Sequence, residues 1–149
     1  LKALVQVHGT TREPDRAALE IDLSSDESLH VVGIEGRIVQ VVQNLIGNAF
    51  SFTPADKFVR LAAKRDDGMI QITVDDDGPG IPEDNLASVF ERFYSERPVN
   101  EQFGTHSGLG LSISRQIVEA LGGTIKVANR YNSGGGVTGA QFTIRLPAA

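Results

Sequence analysis

Apolar positions recur along the chain with two different periods, which predict helices and strands. Over residues 35–52 they recur every three or four residues, as in an amphipathic helix, and Pro54 follows that segment. A second helical pattern covers residues 109–121 and ends at Gly122 and Gly123. The segments expected to be strands are 17–23, 29–32, 58–64, 69–74, 124–129 and 141–146.

This order of elements predicts an α+β fold. Strands, a helix, a hairpin, a loop, a second helix and a second hairpin follow one another, which favours helices on one face of a mostly antiparallel sheet. Residues 65–68, with an Asp-Gly pair, are the expected turn of the first hairpin. Residues 83–107 show little periodicity, and so long an irregular stretch is typical of a functional loop or of disorder. We expect residues 1–16 to be a linker and residues 17–149 to be one domain.

Composition narrows the possible functions. The chain has 149 residues, and 14 Lys plus Arg against 19 Asp plus Glu give a net charge of −5. This charge disfavours a general nucleic-acid or anionic-membrane surface, although a local phosphate site remains compatible with it. The absence of Cys excludes disulfides, thiolate metal sites and Cys nucleophiles. No apolar run approaches the roughly 18 residues of a membrane span. Because the chain does not begin with Met, we expect it to be a piece of a longer protein.

A polar ridge runs along the first predicted helix. Gln40, Asn44 and Asn48 are four residues apart, so their side chains stack on one face. Apolar residues flank this ridge on both sides, and an amide ridge within a buried helix must be hydrogen-bonded or line a cavity. Two interpretations remain: a structural amide network, or a cleft wall whose Asn oxygens can bind a hard cation such as Mg²⁺.

Further candidate chemistry lies in two glycine-containing segments. In residues 75–82 three Asp precede a Gly-Pro-Gly sequence, and Asp77 is followed by Gly78 and Gly80 at spacings of one and three. This segment is either a plain turn or a place where a ligand approaches the backbone while the carboxylate accepts hydrogen bonds, for example from an exocyclic amine. Residues 108–112 open the second helix with two glycines, which suits a phosphate but fits neither a Walker A loop nor a dinucleotide fingerprint.

Aromatic and basic residues alternate within the irregular stretch. Residues 89–94 read Val-Phe-Glu-Arg-Phe-Tyr. The aromatic side chains can anchor the loop to the core, and Arg92 or Arg97 can reach an anionic phosphate.

Taken together and in this order, these motifs resemble the catalytic ATP-binding domain of sensor histidine kinases, within the gyrase, heat-shock-90, histidine-kinase and mismatch-repair ATPase superfamily. Residues 44–49 resemble the N box, 77–80 the G1 box, 90–93 the F box and 108–111 the G2 box, and 139–147 resemble the closing strand. The amino-acid sequence around Ser51-Phe52 and in residues 108–116 is most similar to that of ChvG-type sensor kinases of alphaproteobacteria.

The resemblance implies a two-layer α/β sandwich, the Bergerat fold, with a mobile lid over bound ATP. It implies that Asp77 accepts from the adenine amino group, and that Asn48 ligates Mg²⁺. Catalytic roles are implied for Asn44, Asn48 and Arg92, the last because Ser51 stands where many members have a basic residue. The residues implied in ATP binding are Asn44, Asn48, Phe52, Asp77, Gly78, Gly80, Ile81, Tyr94, Gly108, Leu109, Gly110 and Leu111.

Residue 44 bears on the type of reaction. Related ATPases and Ser-directed kinases generally have a Glu at the matching position, which can take a proton from water or a hydroxyl. The Asn44 amide cannot act as that base, whereas a neutral histidine acceptor needs none. The resemblance therefore favours phosphoryl transfer to histidine over hydrolysis. A related ATPase module and a non-catalytic signalling module are the alternatives, and intact Asn48, Asp77 and both glycine pairs disfavour the latter.

The acceptor histidine is not expected in this chain. None of His8, His30 and His106 lies in a motif of the acceptor type. The resemblance implies as partners a dimerisation and histidine-phosphotransfer domain outside this chain and a response regulator, with no nucleic acid. It also implies a cytoplasmic location within a homodimeric inner-membrane sensor.

Overall fold

The computed structural model of the chain describes residues 9–11, 16–23, 29–91 and 110–149, and for residues 9–11 it describes the backbone alone. Within these ranges two helices and six strands follow one another. In chain order they are β1 (Gly9–Thr11), β2 (Ala18–Asp22), α1 (Glu35–Phe52), β3 (Phe58–Asp66), β4 (Met69–Asp76), α2 (Gly110–Ala120), β5 (Thr124–Tyr131) and β6 (Val137–Pro147). A short 3₁₀ helix at Glu83–Asn85 follows β4.

The strands form one mixed sheet in the order β1-β2-β3-β4-β6-β5. Strands β2 and β3 are parallel, and α1 connects them, as a parallel pair requires a crossover. All other neighbours are antiparallel. Strand β4 therefore lies in the interior of the sheet, between β3 and β6, and its last residues end at the site described below.

The core lies between one face of the sheet and the two helices. In β4 the buried positions alternate, so that Ile70, Ile72 and Val74 face inward. They pack in one cluster with Val42 and Leu45 of α1. The outer face of the sheet carries polar and charged side chains, so the two-layer α/β sandwich expected from the sequence is confirmed. No helix in the described part of the chain is both long and apolar enough to cross a membrane.

Two hydrogen bonds from Thr53 mark the C-terminal end of α1. The Thr53 hydroxyl donates to the Ala49 carbonyl at 2.7 Å, and the Thr53 backbone N–H donates to the same carbonyl at 3.1 Å. Pro54 follows directly, and its ring prevents continuation of the helix. The predicted bounds of α1 are confirmed, α2 ends one residue earlier than predicted, and its predicted first residue, Leu109, lies outside the described residues.

One prediction about strands is wrong. Residues 29–32 form no strand, because the chain turns into α1 directly afterwards and only Val31 makes an isolated bridge, with Ala148. The segment expected as a linker contributes β1, which pairs antiparallel with β2 at the edge of the sheet. The division of the chain at residue 16 otherwise stays a prediction.

The β3–β4 hairpin is tighter than predicted. Its two-residue turn consists of Asp67 and Gly68, with φ of 51° and 75°, as a turn with two left-handed residues requires. The strands therefore extend to Asp66 and Met69 on either side of the turn.

Candidate functional site

The polar ridge of α1 faces the beginning of α2. The Asn44 side-chain Nδ2 donates to the Gly110 carbonyl at 3.3 Å and to the Ser114 hydroxyl at 3.2 Å. Ser114 is fully buried, so this pair of contacts joins the two helices inside the molecule. Asn44 thus has hydrogen-bond partners within the molecule and links α1 to the first described turn of α2.

Asn48 lies one turn further along α1, and its side-chain amide is available for a further interaction. It is half-buried, and its side chain makes no hydrogen bond to any residue that the structure describes; its backbone carbonyl accepts from the Ser51 hydroxyl at 2.7 Å. An amide oxygen is a hard donor that suits Mg²⁺. Among the described residues no group of three or more His, Cys, Asp or Glu could hold a metal ion.

The three consecutive Asp at the end of β4 lie on alternate faces of the sheet. Asp76 continues the inward series of Ile70, Ile72 and Val74 and is 4% exposed. Asp75 and Asp77 are half-buried and lie on the outer face. Only Asp76 therefore faces the layer that contains the helices.

The Asp76 carboxylate is held in place by backbone donors. Its Oδ1 accepts from the N–H of Gly78 at 2.9 Å and from the N–H of Ala140 at 3.1 Å. Its Oδ2 accepts no hydrogen bond from the residues that the structure describes. Burial raises the pKa of Asp76 above its ordinary value, and the two backbone donors and the charge of Arg130 offset part of that rise. One carboxylate oxygen is thus fixed, and the other is left for a donor.

Asp77, which the resemblance had assigned to adenine, belongs to an ion network on the outer face. Its Oδ1 is 3.0 Å from both the Arg60 and the Arg130 guanidinium groups, and its Oδ2 accepts from the Phe58 N–H at 3.1 Å. Arg60 also pairs with Glu20 at 3.3 Å. Burial alone would raise the pKa of Asp77, but hydrogen bonds from Arg60 and Arg130 lower it below its ordinary value.

The sequence analysis expected Asp77 at the base, whereas the structure places its side chain on the outer face of the sheet, away from the helices. Side chains alternate along an extended chain, so adjacent residues cannot both face the helices. At the end of β4, the carboxylate that faces the helices is therefore that of Asp76.

The glycine segment after β4 packs against two other parts of the fold. A Cβ on Gly78 would lie 2.8 Å from the Phe52 carbonyl, so this glycine lets the segment approach the end of α1. Gly80 has φ of +78°, and a Cβ there would collide with Val137. Ile81, half-buried, is hydrogen-bonded on its backbone to the side chain of Asn129.

The other predicted site residues divide between described and undescribed parts of the chain. Gly110 is the first residue of α2 and lies near Asn44, and Leu111 is half-buried against the core. Phe90 packs edge-on against Phe142, with ring centroids 6.0 Å apart, which confirms its role as an anchor. Residues predicted to act in the site but lying outside the described residues are Arg92, Tyr94, Gly108 and Leu109.

Sequence reasoning missed four residues that shape this site. Asp76 could have been found, because the alternation of β4 continues to it. The position of Arg60 could have been predicted by counting residues back along the hairpin from its two-residue turn, because this count places Arg60 opposite Asp75. Asn129 and Arg130 carry no local signal, since their partners are about 50 residues away in the chain.

Comparison with known proteins places this geometry in a family. The sequence profile of the histidine kinase-, DNA gyrase B-, and HSP90-like ATPases (HATPase_c) matches residues 33–149. The sensor protein ChvG of Agrobacterium fabrum is 48% identical over 125 residues, which are 82% of this chain and 21% of ChvG. The chain thus spans about a fifth of the length of this relative, and the resemblance to ChvG-type sensor kinases is confirmed.

Solved structures agree with the sequence comparison. The mycobacterial sensor histidine kinase MprB superposes with a TM-score of 0.70 at 28% identity, covering 87% of this chain and 81% of MprB. Full-length ShkA, solved in complex with AMPPNP, superposes with a TM-score of 0.68 at 32% identity, covering 88% of this chain and 26% of ShkA. The fold therefore has a known architecture, and the chain is a member of the histidine kinase-, DNA gyrase B- and HSP90-like ATPase family.

Proposed function

We propose that this chain is the ATP-binding catalytic domain of a two-component sensor histidine kinase. In this role it transfers the γ-phosphoryl group of ATP to a histidine on a separate dimerisation domain, which then phosphorylates a response regulator. Membership of the ATPase family and the identity to ChvG support the proposal. The observation that carries it is the buried Asp76 carboxylate beside the end of α1, with one oxygen held by backbone and one without a donor among the described residues.

Adenine recognition is assigned to Asp76. The Asp76 Oδ2 accepts no hydrogen bond from the described residues, and the exocyclic amine of adenine is a donor that a carboxylate oxygen can accept. Gly78 allows the segment after β4 to lie against the Phe52 carbonyl, which brings this segment to the end of α1 beside Asp76. Gly80 and Ile81 continue the same wall. The proposed base pocket thus consists of Asp76, Gly78, Gly80, Ile81 and the end of α1.

The phosphates are assigned to the opposite end of the cleft, beside Asn48 and the first turn of α2. The first turn of a helix presents unpaired N–H groups and the positive end of its dipole, and α2 has no acidic residue in its first turn. Asn48 supplies an amide oxygen that fits Mg²⁺, and the family resemblance adds Gly108, Leu109 and Arg92. When bound, Mg²⁺ would neutralise phosphate charge.

The residues present favour transfer to a histidine over hydrolysis. Asn44 has no basic atom, and its amide already donates to Gly110 and Ser114. A water or hydroxyl nucleophile would need a base near the phosphate, whereas a neutral imidazole attacks through a free lone pair. This chain would then act by positioning ATP and by neutralising its charge. The proposed partners are a dimerising phosphoacceptor domain and a response regulator, in a homodimeric sensor with its kinase domain in the cytoplasm.

The adenine assignment is tested by comparing two neighbouring substitutions. Asp76→Asn keeps an oxygen for the Gly78 and Ala140 N–H groups but replaces the open oxygen with an amide donor. We expect ATP affinity in calorimetry to fall at least about tenfold, the cost of one lost charged hydrogen bond. Asp77→Asn, on the other face of the sheet, should leave the affinity within about twofold. The reverse pattern would return the adenine to Asp77, and no ATP binding by the wild-type chain would refute the proposal.

Phosphoryl transfer is tested with separately supplied acceptor hairpins. The chain is mixed with radiolabelled ATP, Mg²⁺ and dimerising helical hairpins from ChvG-type kinases, and the labelled product is treated with acid. An acid-labile product, as phosphohistidine is, is expected from the wild type and not from Asn48→Ala. Release of inorganic phosphate at the same rate with and without the hairpin would instead indicate an ATPase. An Asn48→Ala chain with full activity would refute the assigned role of Asn48.

A further inference from the structure

The side chain of Asn129 makes two hydrogen bonds to the backbone of a single residue. Its Oδ1 accepts from the Ile81 N–H at 2.7 Å, and its Nδ2 donates to the Ile81 carbonyl at 2.7 Å. Both groups are half-buried. Asn129 lies on β5, 48 residues along the chain from Ile81. The carboxamide therefore pairs with this backbone as a neighbouring strand would, at a point where no strand pairs with it.

Ile81 also packs against the core, but the backbone around it has few other hydrogen-bond partners. Pro79 and Pro82 lack a backbone N–H, so they cannot donate. Within the described part of the chain, Asn129 provides all the hydrogen bonds of the Ile81 backbone. Gly80, with φ of +78°, brings its Cα close to Asn129 and Val137. The position of the segment thus depends on contact with the β5–β6 hairpin.

The next residue of β5 holds the same region from the other face of the sheet. The Arg130 guanidinium donates to the Asp76 carbonyl at 2.9 Å and to the Asp77 carboxylate at 3.0 Å. Consecutive residues of one strand thus fix the chain on both sides of the glycine segment. Arg130 acts on the last residue of β4, whereas Asn129 acts on the part of the proposed base pocket that lies beyond the sheet.

We propose that Asn129 is a positioning residue for nucleotide-base recognition. By holding both polar groups of the Ile81 backbone, it keeps Gly80 and Ile81 at a fixed distance from Asp76, so the base is gripped between the carboxylate and this wall. Asn129 itself does not touch the nucleotide in this role. The inference rests on the proposed function, since it assigns the segment to an adenine pocket. It predicts that a change at β5 alters which base is preferred.

Two substitutions remove this contact in different ways. Asn129→Asp preserves the shape and the acceptor for the Ile81 N–H but places a second oxygen against the Ile81 carbonyl, where a donor is needed. Asn129→Ala removes both hydrogen bonds. The matched control is Asn132→Ala in the turn of the same hairpin, because the Asn132 Oδ1 also accepts two backbone N–H groups, those of Gly134 and Gly136, at 2.9 Å. The control has no contact with the glycine segment.

The readouts are the dissociation constants for ATP and for inosine triphosphate, which lacks the exocyclic amine. All chains are compared at a temperature where circular dichroism shows each to be folded. For both Asn129 variants we expect ATP to bind about tenfold more weakly, the loss that unpaired backbone groups typically cause. The ratio of ATP to inosine triphosphate affinity should fall as well. Asn132→Ala should change neither quantity.

Each outcome separates the inference from the function on which it rests. If ATP affinity of both Asn129 variants stays within about twofold of wild type, the positioning role is overturned while the proposed function stands. Equal weakening of both nucleotides also overturns it, because a merely structural residue would act in that way. If the wild-type chain binds no ATP, the proposed function and this inference fail together. If it binds ATP without preference over inosine triphosphate, this inference fails together with the assignment of adenine to Asp76, while the proposed function stands.

Discussion

Replacing Asp77 with asparagine should destabilise the fold without weakening the binding of ATP. The substitution keeps the size of the side chain and one oxygen, and it removes the charge that faces Arg60 and Arg130 at 3.0 Å each. Both arginines then lose a charged acceptor, although Arg60 keeps Glu20 at 3.3 Å. The perturbation is therefore confined to the outer face of the sheet.

The size of the effect follows from how exposed these groups are. Fully shielded hydrogen bonds to charged groups contribute about 1.5–3 kcal/mol, and exposed ion pairs about 0.2–1 kcal/mol. Side-chain exposures of 19% for Asp77, 30% for Arg130 and 36% for Arg60 place both pairs between these limits. We therefore expect about 1 kcal/mol for each pair after solvent screening, and a free energy of unfolding lowered by about 2 kcal/mol. For a domain of this size the melting temperature would fall by about 6 °C.

Urea unfolding at a series of pH values measures this effect and its origin. The pKa of Asp77 is lowered in the folded chain, so its stabilising contribution is present above the unfolded carboxyl value of about 3.9 and is lost as pH falls through the folded pKa. The difference between wild type and Asp77→Asn should be constant from about pH 5 to pH 8 and shrink below about pH 4.

Two results would refute this reasoning. A difference below about 0.5 kcal/mol near neutral pH would mean that the network contributes no more than isolated surface pairs. A difference that persists unchanged well below the carboxyl range would mean that the charge of Asp77 is not its source. Loss of ATP binding in the folded variant would contradict the placement of Asp77 outside the cleft.

Two further substitutions probe the inner layer. Gly139→Ala should lower the free energy of unfolding by at least about 3 kcal/mol, because Gly139 has φ of 152° and a Cβ would overlap the Asp76 carbonyl. The matched control is Gly36→Ala on α1, where nothing lies within 4 Å of the new Cβ, and it should be neutral or stabilising by about 0.5 kcal/mol. If the two substitutions had equal effects in urea unfolding, Gly139 would not be needed for the close approach of β6 to the Asp76 carbonyl. Ser114→Ala should cost about 1 kcal/mol, because Asn44 loses an acceptor in the interior, and an unchanged denaturation midpoint would mean that the 3.2 Å contact contributes no stability.

The helices were predictable because their sequence patterns are local. The apolar stripe of α1 and the Pro that follows it fix the helix within a single segment, and the glycine pair after α2 does the same. The strand at 29–32 failed for the opposite reason. A run of four apolar and polar residues holds too little information to distinguish a strand from an extended approach to a helix, and only partners in the sheet decide it.

The candidate site was predictable as a region and less so as a set of atoms. The family boxes located the glycine segment, but the choice of Asp77 rested on its position next to Gly78, whereas the pleat of β4 assigns the inner face to Asp76. The amide of Asn129 could not have been inferred, because its contact with Ile81 exists only after β5 has paired with β6. Contacts of this kind depend on the register of strands far apart in the sequence.

The interior position of β4 implies that the two ends of the cleft differ in local stability. Strand β4 is paired on both sides, with β3 and β6, up to the residues next to Asp76. Its amide protons should exchange with solvent only when the whole domain unfolds. The first turn of α2 is instead joined to α1 through the Asn44 side chain, so it can open at a lower free energy. In the proposed complex, the carboxylate assigned to adenine would thus belong to the last part of the fold to open, and the phosphates would lie beside a part that opens at a lower free energy.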